Sequence, residues 1–335
     1  MTLTSNHGTP LPPLSGAPSL EQGAALLQRV HEAVGSRVVG QDVAIEDALI
    51  AFLARGHLLI EGVPGTAKTL LVRTLASALG LKFSRIQFTP DLMPSDVTGI
   101  SMVRDPTRGF EFLPGPVFTD LLLADEINRA PAKTQAALLE AMAERQVTVD
   151  GRTRPLDAVF TVFATQNPVE HEGTFPLPEA QLDRFLLKTV MSYPAKEAEL
   201  EMLAHHEAGF DPERAADVAI PALIGDGDAL ALRSLVDAVR VAPEVREYIA
   251  AIARATRGEP SIALGASPRA TVALMRAARG AAVLEGRDYV VPDDVKGRVA
   301  GVLRHRITLA PELEVEGRTP DEVLAIVVSR VAAPQ

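Results

Sequence analysis

Eight consecutive residues constrain the fold of this chain more than any other feature. They lie between a predicted strand at 57–61 and a predicted helix at 70–79, and they are Gly62, Val63, Pro64, Gly65, Thr66, Ala67, Lys68 and Thr69. A glycine-rich turn at the start of a helix exposes backbone N–H groups that bind phosphate. The segment therefore predicts a phosphate-binding loop, in which Lys68 reaches the β- and γ-phosphates of a nucleotide and Thr69 ligates Mg²⁺.

Ala67 occupies the position where the strict form of this motif has glycine. We expect Ala67 to lie where the chain enters the helix, and a helical backbone does not need glycine. Gly62 and Gly65 are the two positions that we expect to require glycine. A glycine-rich turn beside a surface lysine is the competing interpretation, and the order of strand, loop and helix disfavours it.

Short apolar strands alternate with helical patterns from about residue 20 to residue 190, which predicts a parallel sheet covered by helices on both faces. The strand candidates are 57–61, 82–88, 121–125 and 158–165. After residue 194 only helical patterns remain, at 196–207, 230–238, 243–257, 268–284, 292–303 and 321–331. The predicted fold is an α/β core at 20–192 and an all-helical domain at 193–335, called the lid below, preceded by a flexible tail at 1–19.

Two carboxylates follow the apolar strand 121–125 directly. Beside a phosphate-binding loop, Asp125 suits a metal anchor and Glu126 suits a base that polarises the attacking water. Asn167 follows the last predicted strand, where its amide could hold that water and read the γ-phosphate. Each feature alone has another explanation, because a carboxylate pair can be a solvated strand end and Asn-Pro can simply begin a turn.

Composition excludes several other kinds of site. The 335 residues include no cysteine, so disulfides, thiolate zinc sites and thiol nucleophiles are excluded. The seven histidines show no zinc-site spacing. A net charge of -10 disfavours binding to nucleic acid. The chain shows no signal-peptide pattern and no apolar run of about 18 residues, so we expect a cytoplasmic protein that does not insert into a membrane.

Two hairpins are predicted to interrupt the core. The first covers 101–112, around turn residues at 105–109, and the second covers 146–155 around Asp150 and Gly151. An Asp-Gly pair is among the strongest short hairpin signals. The alternative is that both hairpins are surface ornaments.

Together these motifs resemble those of the AAA+ ATPases, and more narrowly those of the MoxR family, over nearly all of the chain after about residue 25. The matching segments are 62–69, 87–96, 125–131, 164–168, 172–181 and 182–185. The family also carries alanine before the loop lysine. The resemblance implies a ring, usually hexameric, that hydrolyses ATP with Mg²⁺ between subunits, and hairpins that face the ring pore and touch a client.

The resemblance also implies roles for three further residues. Arg184 looks like an arginine finger that acts on the ATP of the neighbouring subunit, although a salt-bridged helix arginine would look the same. Arg269 resembles a lid arginine that contacts the γ-phosphate of its own chain. Its place in a first helical turn, where positive charge is disfavoured, suggests a functional reason. Gln41 belongs to a segment similar to the family's adenine side.

The favoured function is a ring ATPase that remodels or activates a partner protein, and the resemblance suggests partners with von Willebrand factor A domains. One alternative is an ATP-gated subunit of a metal chelatase, whose relatives share this core. Another is a scaffold that assembles with ATP but turns over slowly. The presence of Glu126, Asn167, Arg184 and Arg269 favours turnover. A DNA-processing motor is disfavoured by the acidic balance.

Overall fold

A computed structural model of the chain describes residues 18–105, 109–168, 174–214, 218–225 and 227–334. Three predictions fall wholly or partly outside these ranges. They concern the flexible tail, of which 1–17 is not described, the turn of the first hairpin at 106–108, and the start of the 172–181 segment. Among the described residues, no helix is long and apolar enough to span a bilayer.

The strands are β1 (Leu58–Gly62), β2 (Phe83–Gln87), β3 (Gly99–Asp105), β4 (Gly109–Pro114), β5 (Leu121–Asp125), β6 (Gln146–Val149), β7 (Arg152–Pro155), β8 (Thr161–Gln166), β9 (Leu187–Met191), β10 (Ile262–Leu264) and β11 (Thr308–Leu309). Five of them form the central sheet, in the order β2–β5–β8–β1–β9. All neighbours in this sheet are parallel. The carboxyl ends of the five strands therefore meet at one edge, the carboxyl edge, and their amino ends at the opposite amino edge.

The α-helices are α1 (Leu20–Gly35), α2 (Asp42–Leu53), α3 (Lys68–Ala78), α4 (Pro94–Thr98), α5 (Ala132–Glu144), α6 (Glu179–Leu182), α7 (Lys196–Glu207), α8 (Asp228–Ala238), α9 (Pro243–Gly258), α10 (Pro268–Leu284), α11 (Pro292–Leu303), α12 (Pro311–Val315) and α13 (Pro320–Arg330). The predicted α/β core and helical lid are confirmed, and six lid helices match their predicted ranges closely. The lid also contains a short antiparallel pair, β10 with β11. The exact domain boundaries stay predictions.

Strand β9 was not predicted. The burial of its side chains alternates with the two-residue period of a strand, but its residue types do not, since Thr189 is buried, Val190 is exposed and the charged Lys188 is half-buried. The Lys188 ammonium lies 2.7 Å from a Glu61 carboxylate oxygen on the neighbouring β1. The charge is therefore balanced by a contact between strands that are far apart in sequence, which a local pattern cannot reveal.

The sheet separates two apolar layers. One layer contains Leu58, Ile60, Leu123 and Phe163, together with α1, α2, α3 and much of the lid. The other contains Leu59, Leu122, Val162 and the buried face of α5. Successive side chains of each strand point to opposite layers, as a strand buried on both faces requires. Helices α3 and α5 therefore cover opposite faces of the sheet.

Both predicted hairpins are present in the described residues. Strand β3 pairs with β4, and β6 pairs with β7, both antiparallel. Asp150 and Gly151 have φ values of 52° and 72°, the two positive values that a tight type I′ turn requires. In the first hairpin the Phe110 side chain is 79% exposed. The hairpins thus project from the sheet instead of joining it.

Candidate nucleotide site

The predicted phosphate-binding loop leaves β1 at the carboxyl edge and enters α3. Gly65 has a φ of +84°, which favours glycine. A Cβ atom added at Gly62 would lie 2.6 Å from the Met191 carbonyl oxygen and 3.0 Å from the Thr66 hydroxyl. Both glycines that we expected the loop to require are therefore required, one by its backbone angle and the other by close packing.

The prediction that Ala67 has a helical backbone was wrong. Ala67 precedes the first residue of α3 with φ 64° and ψ 23°, in the left-handed region. This conformation costs an L-residue about 1–2 kcal/mol because its Cβ approaches the following carbonyl oxygen. The turn from the loop into the helix imposes it, so alanine at this position stores strain that glycine would not.

The Lys68 ammonium lies over its own loop. It donates hydrogen bonds to the Gly62 and Val63 carbonyl oxygens at 2.7 and 2.8 Å. The Thr66 hydroxyl donates to the same Val63 oxygen at 2.9 Å. The loop therefore combines a positive charge with the amides of a helix start, which is an arrangement suited to phosphate anions.

Asp125 ends β5 with a carboxylate that is almost fully buried. Its Oδ1 accepts a hydrogen bond from the Thr165 hydroxyl at 2.6 Å. Its Oδ2 accepts from Nε and Nη2 of Arg85 at 3.0 and 2.7 Å, and lies 3.4 Å from the Thr69 hydroxyl. The predicted metal anchor and metal ligand are therefore neighbours.

The oxygen atoms of Thr69 and Asp125 fit Mg²⁺, which prefers hard oxygen ligands. The described residues contain no group of three or more acidic or histidine side chains that could hold a metal. Mg²⁺ commonly takes most of its remaining ligands from water and phosphate oxygens. These two side chains would therefore suffice for a Mg²⁺ ion that arrives with a nucleotide.

Glu126 follows Asp125 in the left-handed region, with φ 55° and ψ 50°. Its backbone N–H donates to the Thr165 hydroxyl at 2.9 Å. Its Oε2 accepts from Gln87 Nε2 at 2.8 Å and from Arg129 Nη1 at 3.2 Å. The proposed base is thus held at the carboxyl edge by groups from three separate elements.

Sequence reasoning missed Arg85, Gln87 and Thr165. Arg85 also donates to the Gln87 side-chain oxygen at 2.8 Å, so the two β2 residues form one chain of hydrogen bonds to Asp125 and Glu126. The available signal was a pair of polar side chains two residues apart at the end of a predicted strand. Their significance depends on β2 lying beside β5, with Gln87 opposite Asp125.

Asn167 and Gln41 also lie at the carboxyl edge. Asn167 follows β8, is 7% exposed, and leaves the sheet between β5 and β1. Gln41 Nε2 donates at 3.0 Å to the carbonyl oxygen of Ser192, which follows β9. Since Met191 pairs with Gly62, this contact places Gln41 near the start of the phosphate-binding loop.

Arg184 does not lie beside the loop of its own chain. It precedes β9 at the amino edge, whereas Lys68 follows β1 at the carboxyl edge, and a five-residue strand spans roughly 16 Å. Arg184 Nη1 donates to the Leu139 carbonyl oxygen at 3.1 Å. Leu139 belongs to α5, on the sheet face opposite α3. Arg184 and Lys68 therefore lie at opposite edges and on opposite faces of the sheet.

Arg269 lies near Arg184 and not near the loop of its own chain. Its Nη1 is 3.4 Å from Oδ2 of Asp183, and its side chain is 70% exposed. This position disfavours the contact with the γ-phosphate of the same chain that the resemblance implies. The predicted helix start is present, since the Ser267 hydroxyl accepts a hydrogen bond from the Ala270 N–H.

Comparison with known proteins supports the fold described above. Residues 57–187 match the family model described as ATPase family associated with various cellular activities (AAA), and residues 254–326 match the AAA lid domain. The chain is 43% identical to Chaperone MoxR1 of Mycobacterium tuberculosis, over 96% of this chain and 86% of that protein. It is 35% identical to protein MoxR of Paracoccus denitrificans, over 87% and 91%. A crystal structure from Cytophaga hutchinsonii is similar with a TM-score of 0.85 and 41% identity, covering 94% of this chain and 97% of that one.

Proposed function

Because this chain belongs to the MoxR family of AAA+ ATPases, we propose that it hydrolyses ATP at sites that two neighbouring copies form together. The neighbouring copies would belong to a homo-oligomeric ring, which the family resemblance suggests is hexameric. The ring would use hydrolysis to remodel or activate a partner protein.

In the proposed reaction, a water oxygen attacks the γ-phosphorus of ATP, the bond from that phosphorus to the bridging oxygen breaks, and ADP leaves. Lys68 and the loop amides bind the phosphates, and Glu126 takes the proton of the attacking water while Asn167 orients it. When bound at Thr69 and Asp125, Mg²⁺ supplies positive charge to the phosphate oxygens. Gln41 lies on the side proposed for adenine.

The separation of Arg184 from Lys68 is the observation that supports shared sites. Phosphoryl transfer needs added positive charge on the γ-phosphate, and an arginine that supplies it can raise the rate about a thousandfold or more. Arg184 lies at the amino edge, on the other face of the sheet from α3. Only the Arg184 of a neighbouring copy would then reach the ATP, and the nearby Arg269 would approach it from the same side.

The first hairpin is the proposed contact with the client. Met102, Val103 and Phe110 are 39%, 45% and 79% exposed, so the hairpin presents apolar side chains to its surroundings. Exposed apolar groups of this kind bind exposed apolar segments of other proteins. A relative is named a chaperone, which supports a protein client. The resemblance suggests a von Willebrand factor A domain protein as a partner.

Mixing inactive variants tests the shared site. We expect Lys68→Ala to lose ATP binding, and Arg184→Ala to bind ATP but lose hydrolysis by about a thousandfold. Equal amounts of the two should recover activity, because a Lys68→Ala copy still offers Arg184 to its neighbour. Glu126→Gln is the control, since its defect lies in the site itself and Lys68→Ala cannot restore it.

The concentration dependence of phosphate release provides a second test. Activity per subunit that rises with light scattering would support assembly as a condition for turnover. Full activity from a monomer would exclude the shared site. Assembly with ATP but without phosphate release from the wild type would instead support the scaffold alternative.

A further inference from the structure

We propose that two lid residues, His305 and Arg306, position the Arg184 side chain, so that the lid of one subunit sets the rate of hydrolysis in its neighbour. The inference rests on the proposed function, because it requires Arg184 to act on the neighbour's ATP. It concerns residues 183–186, called the finger segment below, and the turn that follows α11.

Arg306 is almost fully buried, with a side chain that is 3% exposed. Its guanidinium donates to the Asp183 carboxylate at 2.7 Å and to the carbonyl oxygens of Asp183, Phe185 and Leu186 at 3.2, 2.5 and 3.0 Å. These acceptors lie on both sides of Arg184. One lid side chain therefore fixes the backbone before and after the proposed finger.

His305 adds a second lid contact to the finger segment. It is 6% exposed, and its Nε2 lies 3.1 Å from the Phe185 carbonyl oxygen. Burial lowers the pKa of His305 well below its usual value, so the ring is neutral and its Nε2–H donates to that oxygen. From the other side, the Leu186 N–H donates to the His57 carbonyl oxygen of the core at 2.8 Å. The finger segment is thus held between the lid and the sheet.

The ion pairs of Asp183 also join the finger segment to the lid. The buried Arg306 guanidinium has its carboxylate partner in Asp183, which is next to Arg184 in sequence. The other oxygen of that carboxylate lies 3.4 Å from the exposed Arg269 of the lid. A buried guanidinium without its carboxylate would be costly, so the lid and the finger segment should move as one unit.

Arg306 is a positioning residue, because its burial prevents it from reaching a nucleotide. A substitution at Arg306 should leave the ATP site of its own subunit intact. It should misplace only the Arg184 side chain that this subunit offers to the ATP of its neighbour. A purely structural role would damage both. The two cases differ in a mixing experiment with Lys68→Ala.

Arg306→Met is the informative variant, and Arg298→Met is its matched control. Arg298 is also a buried lid arginine, paired with Asp47 at 2.9 Å and Glu46 at 3.1 Å, but its hydrogen bonds are to the core away from the finger segment. We expect Arg306→Met to bind a fluorescent ATP analogue within about threefold of wild type and to lose at least about tenfold in ATPase activity. Arg298→Met should retain most of its activity at a temperature where it is folded.

Adding Lys68→Ala should restore at least about a fifth of the wild-type rate per Arg306→Met subunit, since random mixing gives many of these subunits an intact neighbouring Arg184. Loss without restoration, or an equal loss in Arg298→Met, would overturn the inference. If Arg184→Ala is not restored by Lys68→Ala either, the shared site itself is wrong. If Arg184→Ala is restored and Arg306→Met is not, only the positioning role fails.

A milder pair of variants covers the case in which Arg306→Met does not fold. His305→Leu removes one donor to the finger segment, whereas His305→Gln keeps an N–H group of similar reach. We expect His305→Leu to lose activity about two- to tenfold with the same restoration by Lys68→Ala, and His305→Gln to keep most of it. Equal activity of the two variants, or loss without restoration, would count against the inference.

Discussion

Gln87 Nε2 lies 2.8 Å from Glu126 Oε2, so the proposed base is joined by a hydrogen bond to the neighbouring strand. The same oxygen accepts from Arg129 at 3.2 Å. An oxygen that already accepts two hydrogen bonds is less free to turn toward an attacking water. These two hydrogen bonds therefore restrain the position of the Glu126 side chain.

Replacing Gln87 should release this restraint. We expect Gln87→Leu to raise the basal ATPase rate by two- to about tenfold, the effect of removing one hydrogen bond of ordinary strength, with unchanged ATP affinity. Steady-state phosphate release at saturating ATP would measure it. Gln28→Leu is the control, since it removes a similar bond to Glu32 on α1. A slower Gln87→Leu enzyme would mean that Gln87 holds Glu126 in its productive position.

Ala67→Gly should be tolerated, and Ala67→Val should not. The left-handed backbone at Ala67 is strained for alanine and worse for a β-branched residue. We expect Ala67→Gly to change the free energy of unfolding by no more than about 1 kcal/mol, because relief of strain offsets the greater freedom of the unfolded chain. Titration with a fluorescent nucleotide should show ATP binding kept in Ala67→Gly and weakened at least about tenfold in Ala67→Val. Similar affinities for both variants would contradict this account.

Thr165→Val should impair the site by removing a buried hydroxyl that supports Asp125 and Glu126. The fully buried Thr165 hydroxyl donates to Asp125 at 2.6 Å and accepts from the Glu126 N–H at 2.9 Å. Valine has the same shape but leaves both groups without this partner, which should cost about 2–4 kcal/mol of unfolding free energy. Urea denaturation would measure the loss, and phosphate release should fall at least about tenfold. Thr165→Ser keeps the hydroxyl and should stay close to wild type; if it is as impaired as Thr165→Val, the hydroxyl is not the cause.

Acid should destabilise the core through His57. Burial lowers the pKa of His57 from 6.5 to about 3, while Nδ1 accepts from the Val162 N–H at 3.0 Å. The folded state therefore favours the neutral ring, so this contribution to stability is complete above pH 6.5 and declines as the pH falls toward 3. The decline from one such group approaches about 1.4 kcal/mol per pH unit.

His57→Gln isolates that contribution, because glutamine offers a donor and an acceptor but does not titrate. Between pH 6.5 and pH 4, the unfolding free energy of the wild type should fall more steeply than that of His57→Gln. Urea denaturation at several pH values gives both slopes. Parallel slopes would show that His57 does not set the acid sensitivity.

The features that could be predicted from the sequence are those that contiguous residues determine. The loop from Gly62 to Thr69, the pair Asp125 and Glu126, and most helix boundaries could be predicted because their signals lie within a few residues. The hydrogen bonds from Arg85 to Asp125 could not, since they depend on which strands are neighbours. The backbone of Ala67 was mispredicted because the turn into α3, and not the helix, sets its angles.

The location of Arg184 and Lys68 at opposite edges of one sheet gives the molecule a direction. Under the proposed function each copy would offer an arginine at one end and need one at the other, so copies would associate head to tail through two different surfaces. An open row of subunits would always contain one site without an arginine at one terminus and one unused arginine at the other. Two copies would then form a single working site, and only closure of the row would make the number of working sites equal to the number of chains.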